Sequence, residues 1–148
     1  MPLFGVLFQE IFLKRFSSEI ETLLEAGVPI VVSLNVAKDS IENIVFKKAI
    51  DRIGESVKNG KSLSEEMKKN EVFSAMVTQL VSVGEEIGNL PEMFRRINQF
   101  YSNVIKAKIE RMLSLFEPFM IVIMGIIIGS MVISMYLPIF KIATLAGK

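Results

Sequence analysis

Cysteine and histidine are both absent from this 148-residue chain. Their absence removes most metal chemistry built on thiolate or imidazole ligands, and with it every Ser-His or Cys-His catalytic pair. The missing cysteine says little about redox compartment, because there is nothing to oxidise. An excess of either charge is lacking too. Seventeen basic and sixteen acidic residues leave +1, so composition gives no reason to expect nucleic acid as a partner. No internal repeat or low-complexity stretch occurs. The start does not read as a signal peptide: Leu3 to Phe8 is apolar but short, no basic region precedes it, and Glu10 and Lys14 follow.

What is present is apolar and unevenly spread. Hydrophobic residues make up 51% of the chain, at the upper edge of the soluble range. All charged side chains but Lys141 and Lys148 lie in residues 1–117, and none lies in 118–140. The length suits one compact domain plus one further element. The chain therefore reads as a helical domain over 1–117, a transmembrane helix over 118–140 and a short tail over 141–148.

Helical spacing runs through the first part. Phe8, Phe12, Phe16, Ile20 and Leu23/Leu24 form one stripe, with Glu10, Lys14, Ser17, Glu21 and Glu25 opposite. Gly27 suits the stop of this helix and Pro29 the first turn of the next. That second helix, about Pro29 to Ala37, has a Val/Ile run that resembles a strand. With no partner strand elsewhere, it reads as helix. A third helix carries Phe46, Ala49/Ile50, Ile53 and Val57 and ends at Gly60. Ser62-Leu63-Ser64-Glu65 has the form of a capping box that starts a short fourth helix. A fifth carries Phe73, Met76/Val77, Leu80 and Val81, with Gly84 in line. Gly88-Asn89 breaks the chain, Pro91 opens a sixth helix, and its stripe is Phe94, Ile97, Tyr101, Val104 and Ile105. No breaker follows until Glu117, so this helix is long. The fold class predicted is all-α: a six-helix antiparallel bundle with short connections, its last helix continuing into one C-terminal transmembrane helix.

Phe119 to Phe140 carries no charge. As a helix at ~1.5 Å per residue this stretch reaches about 33 Å, against a hydrocarbon core of about 30 Å. The plain alternative, a buried core helix, needs more protein than a domain this small provides. Arg95, Arg96, Lys106, Lys108 and Arg111 precede the span and Lys141 and Lys148 follow it. This asymmetry places the helical domain in the cytoplasm. Gly125-Ile126-Ile127-Ile128-Gly129 is a GxxxG pattern that lets another membrane helix approach closely, the alternative being lipid-facing glycines. Pro118, where the span begins, is expected to kink the helix. Glu117 beside it lies at headgroup level or bonds to a neighbouring helix.

Two stretches resemble chemistry and fail on spacing. Gly54 to Ser62 looks like a phosphate-binding loop, but five residues separate the glycines where that motif has four, and the segment is helix-patterned rather than strand–loop–helix. Glu85-Glu86 could offer carboxylates to a metal, yet adjacent helical residues do not face one another. No catalytic set, metal site or cofactor site emerges.

Several landmarks fall in one order: Leu23-Leu24-Glu25-Ala26-Gly27-Val28-Pro29-Ile30, Gly60-Lys61-Ser62-Leu63-Ser64, Phe73, Gly84-Glu85-Glu86-Ile87-Gly88-Asn89-Leu90, Glu117-Pro118, and Leu137-Pro138-Ile139-Phe140. Together they resemble the inner-membrane platform proteins of type II secretion and type IV pilus assembly machines. The resemblance implies a six-helix cytoplasmic domain, usually present twice per polypeptide with three membrane helices. With one domain and one span, this chain resembles a C-terminal half. Ile87 stands where the family usually has Ser or Thr. The implied function is a non-enzymatic scaffold on which a cytoplasmic ATPase acts and which helps lift pilin or pseudopilin subunits from the inner membrane. The implied partners are that ATPase, the filament subunits' membrane helices, other inner-membrane assembly proteins and further copies of the chain. Gly84, Glu85, Gly88 and Leu90 would form the family-defining turn between helices five and six, either as a partner surface near Glu85 or as a packing turn whose Glu85 bonds to the fold. The competing readings are a tail-anchored adaptor or a membrane-transport subunit. For the latter the span offers only Ser130, Ser134 and Tyr136 as polar groups.

Overall fold

Helix ends set out the architecture. A computed structural model describes residues 2–147 and forms six helices: α1 (Pro2–Glu25), α2 (Ile30–Asp39), α3 (Ile44–Lys58), α4 (Leu63–Lys68), α5 (Ala75–Ile87) and α6 (Leu90–Ala146). No strand occurs among the described residues, so the Val/Ile run of α2 is helical. Three of the connections use the same closure. Gly27, Gly60 and Gly88 take φ of 82°, 86° and 68°, a left-handed conformation that costs glycine little. The next amide then reaches back across the turn: Val28 N–H to Leu23 O at 2.9 Å, Lys61 N–H to Ser56 O at 3.1 Å, and Asn89 N–H to Gly84 O at 2.9 Å. Side-chain caps start α3, α4, α5 and α6, but not α2. Asn43 accepts from the Val45 amide, Ser62 from Glu65, Ser74 from Val77 and Asn89 from Glu92.

The chain divides into two compact units, Met1–Lys106 and Ala107–Lys148. The first is a helical bundle. Every helix gives it core residues: Phe16 and Ile20 from α1, Leu34 from α2, Ile50 and Ile53 from α3, Met67 from α4, Val77 and Val81 from α5, Phe94 and Ile97 from α6. Each large apolar side chain so buried contributes about 1.5–3 kcal/mol against the cost of ordering the chain. Phe73 precedes α5 rather than belonging to it, yet is buried.

The α1 stripe differs from the expected one. Leu13 and Ser17 are buried, whereas Phe8 is 69% exposed. A strict four-residue spacing drifts about 40° per step on a helix of 3.6 residues per turn. Phe8 therefore lies about 120° from Ile20, and the buried face follows Leu13, Phe16, Ser17, Ile20 and Leu24 instead. Among the described residues the Ser17 hydroxyl finds no hydrogen-bond partner.

The second unit is the remainder of α6. Pro118 and Pro138 lie inside the helix and neither ends it. Residues 141–146 extend it past the charge-free stretch. Its most apolar window has a mean hydropathy of 2.4, and none of that window is buried in the protein. A core helix would be covered. An apolar surface this long and this bare calls for lipid or a partner around it.

Candidate functional site

The turn between α5 and α6 is built on Gly84. A Cβ added there would stand 2.9 Å from Met93 Cγ, 3.1 Å from Leu90 Cδ2 and 3.3 Å from Leu90 Cα. Only a glycine lets the start of α6 fold back so closely over the last turn of α5. Gly88 supplies the left-handed residue that reverses the chain, and Leu90 packs against the core. Ile87, on the same turn, is 61% exposed.

Glu85 points the other way, toward α4. Its carboxylate accepts four hydrogen bonds: from the Leu63 amide at 2.6 Å, the Ser64 amide at 3.1 Å, the Ser62 hydroxyl at 2.7 Å and the Ser64 hydroxyl at 2.6 Å. These donors open α4, where a helix leaves its first amides unpaired and favours a negative charge. Burial pushes the Glu85 carboxyl up, but the hydrogen bonds from Ser64 and Ser62 and from the two amides outweigh it and hold it below the ordinary glutamate value. Ser62 also accepts from the Glu65 amide. The carboxylate at this helix start thus comes from Glu85, while Glu65 and Glu86 are exposed. The segment that resembled a phosphate loop is an α3 end at Gly60 followed by this cap.

A second polar cluster ties α1 to α6. Arg95 donates to Glu21 at 3.1 Å, to Glu92 at 2.9 Å and to Glu25, and Asn98 donates to the other Glu21 oxygen at 3.1 Å. Glu25 lies two residues before Gly27, so this network anchors the approach to the Gly27–Pro29 turn. Pro29 is the residue before α2, and its carbonyl accepts the Ser33 amide at 2.9 Å and the Ser33 hydroxyl at 3.1 Å. The spacing of residues in α1 gave Glu21 and Glu25 to the solvent face. No local pattern announces that Arg95, 74 residues from Glu21, closes on them. Nor does one announce the open groove of about 1190 Å³ beside α1, lined by Phe8, Phe12, Arg15, Glu19, Glu42 and Phe46.

Glu117, Pro118, Gly125 and Gly129 all belong to the second unit. Glu117, Pro118 and Gly125 are exposed, Gly129 is half-exposed, and among the described residues nothing besides the adjoining helix backbone lies within 4 Å of a Cβ built on either glycine.

Residues 16–138 match the family described as type II secretion system (T2SS), protein F. Among curated relatives, the chain is 31% identical over 147 residues to the type IV pilus assembly protein PilC of Pseudomonas aeruginosa, covering 99% of this chain and 39% of that protein. It is 31% identical to the type II secretion system protein F of the same organism, covering 99% and 36%. It is 32% identical to the type IV pilus assembly protein PilC of Thermus thermophilus, covering 96% and 35%. The chain spans little over a third of the length of these relatives. A match that runs from α1 to the second proline of α6 takes in the Gly27, Gly84–Leu90 and Glu117–Pro118 landmarks alike, and by it the chain belongs to the type II secretion system protein F family.

Proposed function

We propose that this chain is a non-catalytic part of an inner-membrane platform that couples a cytoplasmic ATPase to the assembly of pilin or pseudopilin subunits. The observation that carries the reading is α6. It begins at the Gly84–Leu90 turn, contributes Phe94, Ile97 and Tyr101 to the bundle, and continues as one helix through the charge-free stretch. A displacement applied to its soluble end has no loop in which to be lost. Lys106, Lys108 and Arg111 before the span, against Lys141 and Lys148 after it, favour a cytoplasmic bundle. Arg95 adds nothing to that asymmetry, since it lies too far ahead of the span to be counted.

Glu85 is occupied by α4, so the outward side of this turn is presented by Glu86 and Ile87, both exposed. The test is co-purification from detergent of the platform protein carrying this chain with the assembly ATPase of its own host. Glu86→Lys is expected to reduce recovery of the ATPase while helical content and melting point stay at parent values. Equal recovery would remove this turn as the contact. Failure of the parent itself to recover the ATPase would overturn the coupling.

A further inference from the structure

Glu117 is a charged group without a partner among the described residues. It is exposed, and no hydrogen bond or ion pair to it forms among the described residues. Its helical neighbours three and four positions away are Leu113, Ser114, Met120 and Ile121. None is basic, so the pairing that usually settles a helical glutamate is not available. The Ser114 hydroxyl is already donating to the Glu110 carbonyl at 2.9 Å. Pro118 has no amide to give the Ser114 carbonyl four residues back. Ser114 and Glu117, three apart, share one side of the helix. One side of α6 thus offers two acceptors, a carboxylate and a carbonyl short of its usual donor, and no donor.

Depth sharpens the point. The charge-free residues 118–140 measure about 34 Å as a helix, close to the hydrocarbon thickness of about 30 Å. Glu117 then lies at the boundary on the side of Lys106, Lys108 and Arg111. Its surroundings on the helix are apolar and exposed: Leu113, Phe116, Met120 and Ile121. Desolvation there is costly for an unpaired carboxylate and strengthens any pairing it makes.

We propose that the Glu117 carboxylate and the Ser114 carbonyl receive an ammonium or guanidinium group carried at the same depth by a membrane helix of another protein. This rests on the reading of residues 118–140 as a bilayer span. Charge decides against a second copy of the chain: parallel copies in register would set Glu117 against Glu117, and the nearest basic residue, Arg111, is six residues or about 9 Å away along the axis. Gly125, about 80° round the helix and two turns deeper, leaves the backbone bare, so that a helix rather than a lipid headgroup can follow α6 inward from the pair.

The test uses the full chain in phosphatidylcholine vesicles, with energy transfer to a synthetic 23-residue Leu/Ala membrane helix bearing one lysine at its boundary, or glutamine in the same place. The lysine helix is expected to associate about tenfold more tightly than the glutamine helix. In Glu117→Gln the two should bind alike. Equal binding of both helices to the parent overturns the proposal. Loss of the lysine preference when phosphatidylethanolamine replaces half the lipid shows that headgroup amines are the donor and overturns it as well. So does self-association that is stronger in the parent than in Glu117→Gln. No ATPase or filament subunit enters this measurement, so its failure leaves the platform reading standing. Failed co-purification with the ATPase would likewise leave the helix association intact.

Discussion

One carboxylate decides the start of α4. Replacing Glu85 with glutamine keeps its shape but removes the charge from a group that two amides and two hydroxyls address. We expect Glu85→Gln to lose about 1–3 kcal/mol, the range for hydrogen bonds to a buried or half-buried charged group, read as a lower midpoint in denaturant by circular dichroism of the detergent-solubilised chain. The acid limb should change with it. A carboxyl held below its ordinary value contributes its full stabilisation above the unfolded-state pKa and loses it as pH falls through the folded one. The parent should therefore lose stability below about pH 4.3, and Glu85→Gln should lose less over the same interval. Gly84 is the other residue on which the turn depends. Gly84→Val puts a branched side chain against the Leu90 backbone and should cost about 1–3 kcal/mol despite its neutral chemistry. At this scale the sequence was half legible. The Ser62 cap and the stops at Gly27, Gly60 and Gly88 depend on neighbours a few residues away, and local pattern shows them. The bond from Glu85 to α4 spans 22 residues, and nothing local encodes it. The two readings of Glu85, partner contact or internal bond, look the same from sequence because both ask for an exposed-type residue after a glycine.

Between elements, α1 and α6 are strapped at Arg95 as well as packed through Phe16 and Phe94. Arg95 is 43% exposed, so its pairs feel salt. Arg95→Ala should lower the unfolding midpoint in low salt and approach the parent as ionic strength rises. A variant whose deficit did not shrink with salt would show that packing of the arginine stem, not charge, holds the two helices. Helices were the most legible level. Apolar periodicity showed α1, α3, α5 and α6, the Ser62 capping box showed α4, and α2, whose branched residues mimic a strand, was read as helix because no partner strand occurs elsewhere. Phase was less secure. The phenylalanines of α1 mark a stripe that drifts off the core, because their spacing of four is longer than the helical turn, and so Phe8 is at the surface while Ser17 is inside. The length of α6 beyond Phe140 was not visible either. The charge-free stretch alone set the expected end at residue 140, with a short tail after it, whereas the helix runs through Pro138 and on to Ala146.

At the scale of the molecule, the absence of native cysteine is useful. Single cysteines placed at Lys58 in the bundle and at Ala146 past the span have no background thiol. In spheroplasts, a membrane-impermeant maleimide should label the Ala146→Cys variant and spare Lys58→Cys until the membrane is opened. The reverse pattern would invert the orientation that Lys106, Lys108 and Arg111 suggest. Composition alone shows where charge stops and the apolar stretch begins, since a boundary of that kind needs no long-range contact to be seen. Which surface meets a partner was not, because the chain spans little over a third of its relatives' length and an interface has no period of its own.

The cap that Glu85 places on Leu63 and Ser64 also sets an order of events. Six residues form α4, too few to persist as an isolated helix in water. Until α5 has formed and swung its carboxylate into place, the Leu63 and Ser64 amides have only water as an acceptor. Their exchange with deuterated solvent should then keep time with α5 rather than with α3, the helix that precedes them in the chain. Two neighbouring protons would thus act as a clock for the docking of a segment a full helix away.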